Sequence, residues 1–333
     1  MKKEKILLPG NPVNAKTPWL WIGTWSMGGE GFGPHDERES LKVLESAVEK
    51  NIRHFDTADL YAHGRSEYLI RKIIQQNREE FFISTKGGLA WNGRRVEHRA
   101  SPGELETQMH ESLKRLKTDY IDLYQLHWPD PEIPVNESIG ALKDLKKRGL
   151  IRYWGVGNLT AEQVGDYLDK EKNIPHQVHF NPVRNKKEIL AAGSDRCINC
   201  VISPLEQGLL GTGKSSLGKE GIGKNDLRAG NPLFSGQGVL EWNRQLEVLA
   251  GKKGISKVSA VLLWICSRPH VSAVIPGPRR VSQLRDILKF RDEIDKNALT
   301  SSDKGSSILS AEKVKALMPQ ELWHHLDKAP IDA

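Results

Sequence analysis

A chain of 333 residues with 38% hydrophobic and 27% charged side chains buries a full core, as one large α/β domain or two small ones. Its formal net charge of +7 is a mild excess, and Lys and Arg alternate with Glu along stretches such as residues 42–51 and 112–120. That alternation marks solvated helix faces and argues against a nucleic-acid surface, while leaving room for a basic site that takes a phosphorylated small molecule.

Residues 5–25 hold two short strand-like runs around a turn-rich middle, the pattern of an N-terminal hairpin leading into a first strand that stops at Gly23-Thr24-Trp25. The loop MGGEGFGP follows; it lacks the full GxGxxG fingerprint and opens no helix, so it is not a Rossmann turn. A strand–helix unit then repeats. Residues 37–51 predict a helix with Leu41, Leu44 and Val48 on one face, HFDTA a strand, residues 66–77 a helix carrying Leu69, Ile70, Ile73 and Ile74, and FFISTK a strand. Ser101, Pro102 and Glu104 open a capped helix that buries Leu105, Met109, Leu113 and Leu116. YIDLYQLH is a strand, residues 135–149 a helix ending on Gly149, and IRYWGVGN a strand. A capping box from Thr160 to Gln163 starts a helix that runs to about Asn173. QVHFN is a strand, NKKEILAAGS a helix and CVISPL a strand. After a long insertion come a helical region over residues 239–268, the strand VSAVIPG, the helix VSQLRDILKF, and a Ser- and Lys-rich tail with one short helix pattern near SAEKVKALM that wraps or covers the barrel.

Cys197 and Cys200 form a CxxC, but it leads into an apolar run and opens no helix, so the pair reads as two small half-buried residues and not as a redox couple. Three cysteines exclude a disulfide framework, no further ligands lie near for zinc, and the absence of a signal peptide points to the cytoplasm. The longest apolar stretch, residues 258–266, is too short to span a bilayer. Eight strands, each followed by a helix and mostly apolar on both faces, favour a single (β/α)8 TIM barrel with an N-terminal hairpin and a C-terminal tail, its core from about residue 18 to 295. The rival, a doubly wound sheet, wants a nucleotide fingerprint after its first strand, which is missing.

In such a barrel, function sits at the C-terminal ends of the strands. Asp56, Lys86 and His127 fall at the ends of strands two, three and four, and Tyr61 lies on the loop after strand two. Singly, each has a bland reading as a rim lysine, a turn-capping Asp or a structural His; four on one rim do not. A phenol titrates near 10, too high for an efficient acid at neutral pH, and a nearby ammonium lowers it. Lys86 fits that part, with Asp56 holding it charged and His127 hydrogen-bonding a substrate oxygen or relaying the proton. This is a proton-donating site for an oxygen that gains negative charge, such as a carbonyl being reduced. Nothing in the set carries electrons, so a hydride donor must be bound.

From Trp21 to about Phe290 the chain resembles the aldo-keto reductase family, through FDTADLYAHGRSE, STKGG, LYQLHWPDP, GVGN, SPLEQGLLGTG and VIPGPRR. The resemblance implies Tyr61 as general acid/base with Lys86, Asp56 and His127, and NADPH as hydride donor. It also implies Gly23, Thr24, Asn158 and Gln177 around the nicotinamide and adjoining phosphate, Ser203, Leu205 and Gly208 along the pyrophosphate, Arg279 at the 2′-phosphate and Gln283 near the adenosine. An arginine at 279 favours NADP over NAD, because a fork of donors suits a phosphate. Gly157, Ile202, Pro278 and Ile287 depart from the family pattern, in places that bear on cofactor affinity.

Residues 208–215 literally satisfy the P-loop pattern, but a P-loop must open a helix and SLGKEGIGKND has no apolar period. The segment reads better as a loop folding over NADPH. Trp25, Trp91 and Trp128, with the tail, are the expected substrate pocket. The family resemblance suggests a monomer or small oligomer. A second function on the same fold stays open: a redox-sensing, channel-associated regulatory subunit that binds NADPH with little turnover.

Overall fold

The computed structural model describes residues 18–29, 31–33, 36–93, 95–168, 170–194, 196–213, 216, 218–219, 222–223, 226–299 and 310–330. The first arm of the expected N-terminal hairpin lies outside them. In chain order the strands are β1 (Ile22–Gly23), β2 (His54–Asp56), β3 (Phe82–Gly87), β4 (Leu89–Asn92), β5 (Arg95–His98), β6 (Ile121–Leu126), β7 (Ile151–Gly157), β8 (Ile174–His179), β9 (Cys197–Ile202) and β10 (Val271–Ile275). All but β4 and β5 form one parallel sheet in the order β1-β2-β3-β6-β7-β8-β9-β10. The sheet closes on itself. Leu20 bridges Val274, the Trp21 amide donates to the Val274 carbonyl at 3.0 Å, and Gly23 donates to Pro276 at 2.9 Å. The result is the (β/α)8 barrel that the alternating pattern predicts.

The helices are α1 (Glu37–Glu49), α2 (Arg65–Ile74), α3 (Pro102–Leu116), α4 (Val135–Lys147), α5 (Ala161–Tyr167), α6 (Lys187–Ala192), α7 (Gln237–Lys252), α8 (Lys257–Cys266), α9 (Val281–Leu299), α10 (Ala311–Ala316) and α11 (Gln320–Asp327). Their starts follow local chemistry. The Ser101 hydroxyl accepts from the Glu104 amide ahead of Pro102, and Thr160 and Gln163 close the full capping box. Four details differ from the sequence reading. In α1 the buried stripe is Ser40, Val43, Leu44 and Ala47, with Leu41 and Val48 at its edge, because small residues let that side of the helix approach the sheet. Helix α5 stops at Tyr167, since the DKEKN stretch beyond Leu168 carries nothing to bury. The helical region 239–268 is two helices, broken where Gly254 takes φ +70° and Ser256 caps α8. The β4–β5 hairpin was not foreseen, although Gly93, which opens its turn with φ +60°, is a hairpin signal.

Side chains on alternate strand positions fill the barrel. Trp21, Phe82, Leu123, Ile198, Cys200, Ala273 and Ile275 make its apolar floor. Cys197 packs in the outer core. An odd spacing along one strand sends Cys197 and Cys200 to opposite faces, so they cannot bridge. Both thiols are buried and pushed up, Cys197 to about 12. Beneath the floor, Asp122 accepts from Arg78 at 2.7 Å, Arg152 at 2.9 Å and the Ile83 amide at 2.9 Å, and Tyr120 lies between the two guanidiniums. Asp122→Ala strips both arginines of this partner and is expected to destabilise the fold by about 2–4 kcal/mol. Because the network sits at the opposite end of the barrel from the strand C-termini, activity per folded molecule stays within about twofold, as urea unfolding and rate assays on one preparation would show.

Among the described residues the tail forms two helices, not one. Helix α10 packs on α8, and α11 packs on α7 and α8, burying Val314, Met318, Leu322 and Leu326. No helix among the described residues is long and apolar enough to cross a membrane.

Candidate active site

Strands β2, β3 and β6 deliver three ionisable side chains to the top of the barrel. In β3, Phe82 fills the floor while Ser84 and Lys86, two and four residues on, point the same way above it. Register fixes their neighbours, Ser84 beside Asp56 on β2 and Lys86 beside Gln125 on β6. The Lys86 ammonium is 2.7 Å from Asp56 Oδ2, 2.8 Å from the Thr57 carbonyl and 3.3 Å from the Tyr61 hydroxyl. Asp56 Oδ1 accepts from Ser84 at 2.8 Å and from Gln177 Nε2 at 2.5 Å. The Lys86–Asp56 pair is buried, with every bond to Asp56 a charged or polar donor. His127 follows β6, its ring edge-on to Tyr61 at 5.7 Å.

Burial alone would depress the Lys86 pKa, but Asp56 and Tyr61 hold it above its ordinary value. Burial, and then the Lys86 charge, pushes His127 well below its usual range, so its imidazole is neutral. For Tyr61 burial pushes the phenol up, and the ammonium pulls it back only in part. The lowering anticipated from Lys86 is real in sign, and desolvation outweighs it. At neutral pH the phenol holds its proton and can give it to an oxygen that becomes more basic.

These residues open into a long cleft lined by Thr24, Trp25, Asp56, Tyr61, His127 and Trp128, then by residues of the loops after β7, β9 and β10. Of the expected cofactor residues, Gly23, Thr24, Asn158, Ser203, Leu205, Gly208, Arg279 and Gln283 line it. Gln177 does not; it lies below, tied to Asp56, with its Oε1 sealed from solvent and unpartnered. That orphaned acceptor, and the Arg279 and Arg228 side chains at the far end of the cleft, fit a long ligand with an amide head and anionic groups along its length. Asn158 takes φ +59°, its amide bonded to the Gln177 carbonyl and its side chain to that of His127. At Gly157 an added Cβ would lie 3.0 Å from the His127 carbonyl oxygen, a tight contact with the backbone. Ile202, Pro278 and Ile287 all line the cleft.

Two tryptophans are cleft walls, Trp25 stacked on Tyr61 at 6.1 Å and Trp128, which is 45% exposed. Trp91 is not a wall. From the β4–β5 hairpin its indole donates to the Leu60 carbonyl at 2.9 Å, bracing the loop that carries Tyr61. Among the described residues no tail side chain lines the cleft either. In the P-loop-like stretch, β9 leads into a short 3-10 turn, Glu206–Gly208, and among the described residues no α-helix lies between β9 and α7; Lys214 and Ser215 lie outside them.

Sequence reasoning passed over several cleft residues. Phe32 meets Trp25 edge-on, and its carbonyl accepts from Arg279. His179 shares the inward face of β8 with Gln177, two residues away, and that spacing was the available signal. Asp59, two residues before Tyr61, has an Oδ1 sealed from solvent without a partner. Burial, reinforced by Glu67, raises its pKa to about 8. A carboxyl raised this far binds a proton that the unfolded chain has lost, so it destabilises the fold increasingly from about pH 4 up to about pH 8. Asp59→Asn is therefore expected to stabilise by about 1–3 kcal/mol at pH 8 and by almost nothing at pH 4, read from urea unfolding at the two values.

Residues 20–303 match the model of the Aldo/keto reductase family. The chain is 32% identical over 294 residues to the aldo-keto reductase YhdN of Bacillus subtilis (strain 168), covering 86% of this chain and 87% of that protein. It is 28% identical to a probable voltage-gated potassium channel subunit beta of Arabidopsis thaliana, covering 84% and 89%. Among solved structures it is similar to a glycerol dehydrogenase of Gluconobacter oxydans, with a TM-score of 0.74, 26% identity, and 94% and 93% of the two chains covered.

Proposed function

The chain belongs to the aldo/keto reductase family, and from that premise we propose that it reduces an aldehyde or ketone to an alcohol with NADPH, Tyr61 acting as general acid. One observation carries the reading: the Lys86 ammonium bridges the Tyr61 hydroxyl at 3.3 Å and the Asp56 carboxylate at 2.7 Å, beside an open cleft. NADPH, when bound, supplies the hydride. This chain's residues do the rest. Tyr61 donates its proton to the carbonyl oxygen as negative charge develops there, and Lys86 stabilises the phenolate left behind. Asp56, fixed by Ser84 and Gln177, keeps the ammonium charged and aimed. His127, held neutral, hydrogen-bonds the same oxygen without competing for the role of acid. Gly23, Thr24, Asn158, Ser203, Leu205, Gly208, Arg279 and Gln283 hold the cofactor, with Gln177 beneath its amide head, and Trp25 and Trp128 wall the carbonyl substrate. Arg279 underlies the choice of NADPH over NADH.

Steady-state oxidation of NADPH and of NADH with a carbonyl panel headed by 4-nitrobenzaldehyde tests this. Turnover with NADPH ahead of NADH supports it; the reverse order assigns NAD and removes the role given to Arg279. The similarity to a channel β-subunit favours one second reading, a regulatory subunit that binds NADPH with little turnover. Tight NADPH binding without turnover across the panel would select it.

A further inference from the structure

We propose that His179 is a positioning residue for the cofactor's diphosphate, and that cofactor binding draws a proton onto its ring. The inference rests on the cofactor reading above.

His179 ends β8 and pairs in register with Ile202, one residue before the loop of residues 203–208. Its side chain is 32% exposed and lines the cleft beside that loop. Its Nε2 lies 2.8 Å from Oε2 of Glu206, which belongs to the loop itself. Glu206 is fully buried, and its carboxylate also accepts from Arg184 at 2.9 Å, Asn181 at 2.7 Å and Asn231 at 3.4 Å. Burial works against its charge, but His179 and Arg184 outweigh that and hold it ionised, down to about 2. An ionised carboxylate only accepts, so His179 Nε2 must carry a hydrogen. That leaves Nδ1, an acceptor in the neutral ring and a donor in the charged one. A diphosphate offers only acceptor oxygens and negative charge, so it is matched by the charged ring alone.

The other charged groups around this end of the cleft are Arg184 from the loop after β8, Glu206, Asp226 and Arg228 from the loop after β9, and Arg279 and Asp286 from the β10 side. Lys86 and Asp56 lie buried above the barrel's apolar floor, paired to each other. Arg184 and Arg228 are each committed to a carboxylate, Glu206 and Asp226. His179 is the one imidazole in this set. Because Glu206 sits in the loop, the same hydrogen bond ties the loop to β8 and sets where the ring faces it.

The sign follows from linkage. If the bound state takes up a proton, affinity is fully present at low pH and falls as pH rises, by at most tenfold per unit for one proton. The test is isothermal titration of the full-length protein with NADPH and with NADH, from pH 6 to 9, in buffers of different ionisation enthalpy. NADH lacks the 2′-phosphate, so that group's own titration drops out of its arm. The expected result for the wild type is net proton uptake near pH 7.5 with both cofactors, and a dissociation constant that weakens about five- to tenfold across the range. His179→Gln keeps an amide donor for Glu206 but cannot titrate; it should abolish the uptake and flatten the NADH profile, with an unchanged melting temperature. Equal uptake in the two proteins overturns the proposal. So does zero uptake in the wild type with NADH, a result that stands even if the variant fails to fold. Absence of any cofactor binding would instead sink the cofactor reading, and the two failures are told apart in one titration.

Discussion

Tyr61→Phe is expected to lower carbonyl reduction by about 10²–10⁴-fold while leaving NADPH affinity within about twofold. The substitution removes one hydroxyl and keeps the ring against Trp25 and His127. What is lost is the proton source, and that loss falls on kcat because proton donation is felt mainly in the transition state. Lys86 keeps its bonds to Asp56 and Thr57, so the buried pair survives. Steady-state kinetics with 4-nitrobenzaldehyde, with cofactor binding followed by fluorescence, would check it. A rate near wild type would remove Tyr61 from the acid role.

Lys86→Met has the largest combined effect. It leaves the Asp56 carboxylate buried with only Ser84 and Gln177 as side-chain donors, and breaking a buried pair in this way costs about 3–5 kcal/mol. Reduction should fall at least as far as in Tyr61→Phe, since the phenolate loses its counter-charge. The double variant Asp56→Asn, Lys86→Met removes both charges and should regain most of the lost stability while regaining no activity. Urea unfolding and rate assays on all three proteins separate the two quantities. If the double variant recovers turnover, Lys86 serves the fold and not the reaction. The pair's pH dependence also has a fixed sign. Lys86 is raised above its ordinary value, so its contribution is fully present at neutral pH and is lost only as pH rises through its folded pKa, above the usual lysine range.

Much of this was legible because barrels place chemistry by a simple rule. Eight short apolar runs alternating with amphipathic helices specify the topology, and a residue where a strand stops is a residue on the active rim. Asp56, Lys86 and His127 could be read that way, and Tyr61 by its nearness to β2. Trp91 could not. It too follows a strand, but the hairpin it belongs to turns its indole onto the Leu60 carbonyl, and no spacing rule states where a hairpin leans. The tail, expected at the pocket, instead docks on α7 and α8 through the apolar stripe of Val314, Met318, Leu322 and Leu326.

The sequence by itself determined the order of strands and helices, the capped starts of α3 and α5, and which side chains stand at the strand ends, because periodicity, capping and alternation are local properties of the chain. Only the tertiary structure decided the electrostatics. Whether the Tyr61 phenol lies above or below its ordinary pKa depends on a balance between burial and a charge 3.3 Å away, and burial won. The same holds for the neutral His127 and the ionised Glu206 under His179, set by burial and by neighbours far apart in sequence, and for the protonated Asp59, set chiefly by burial.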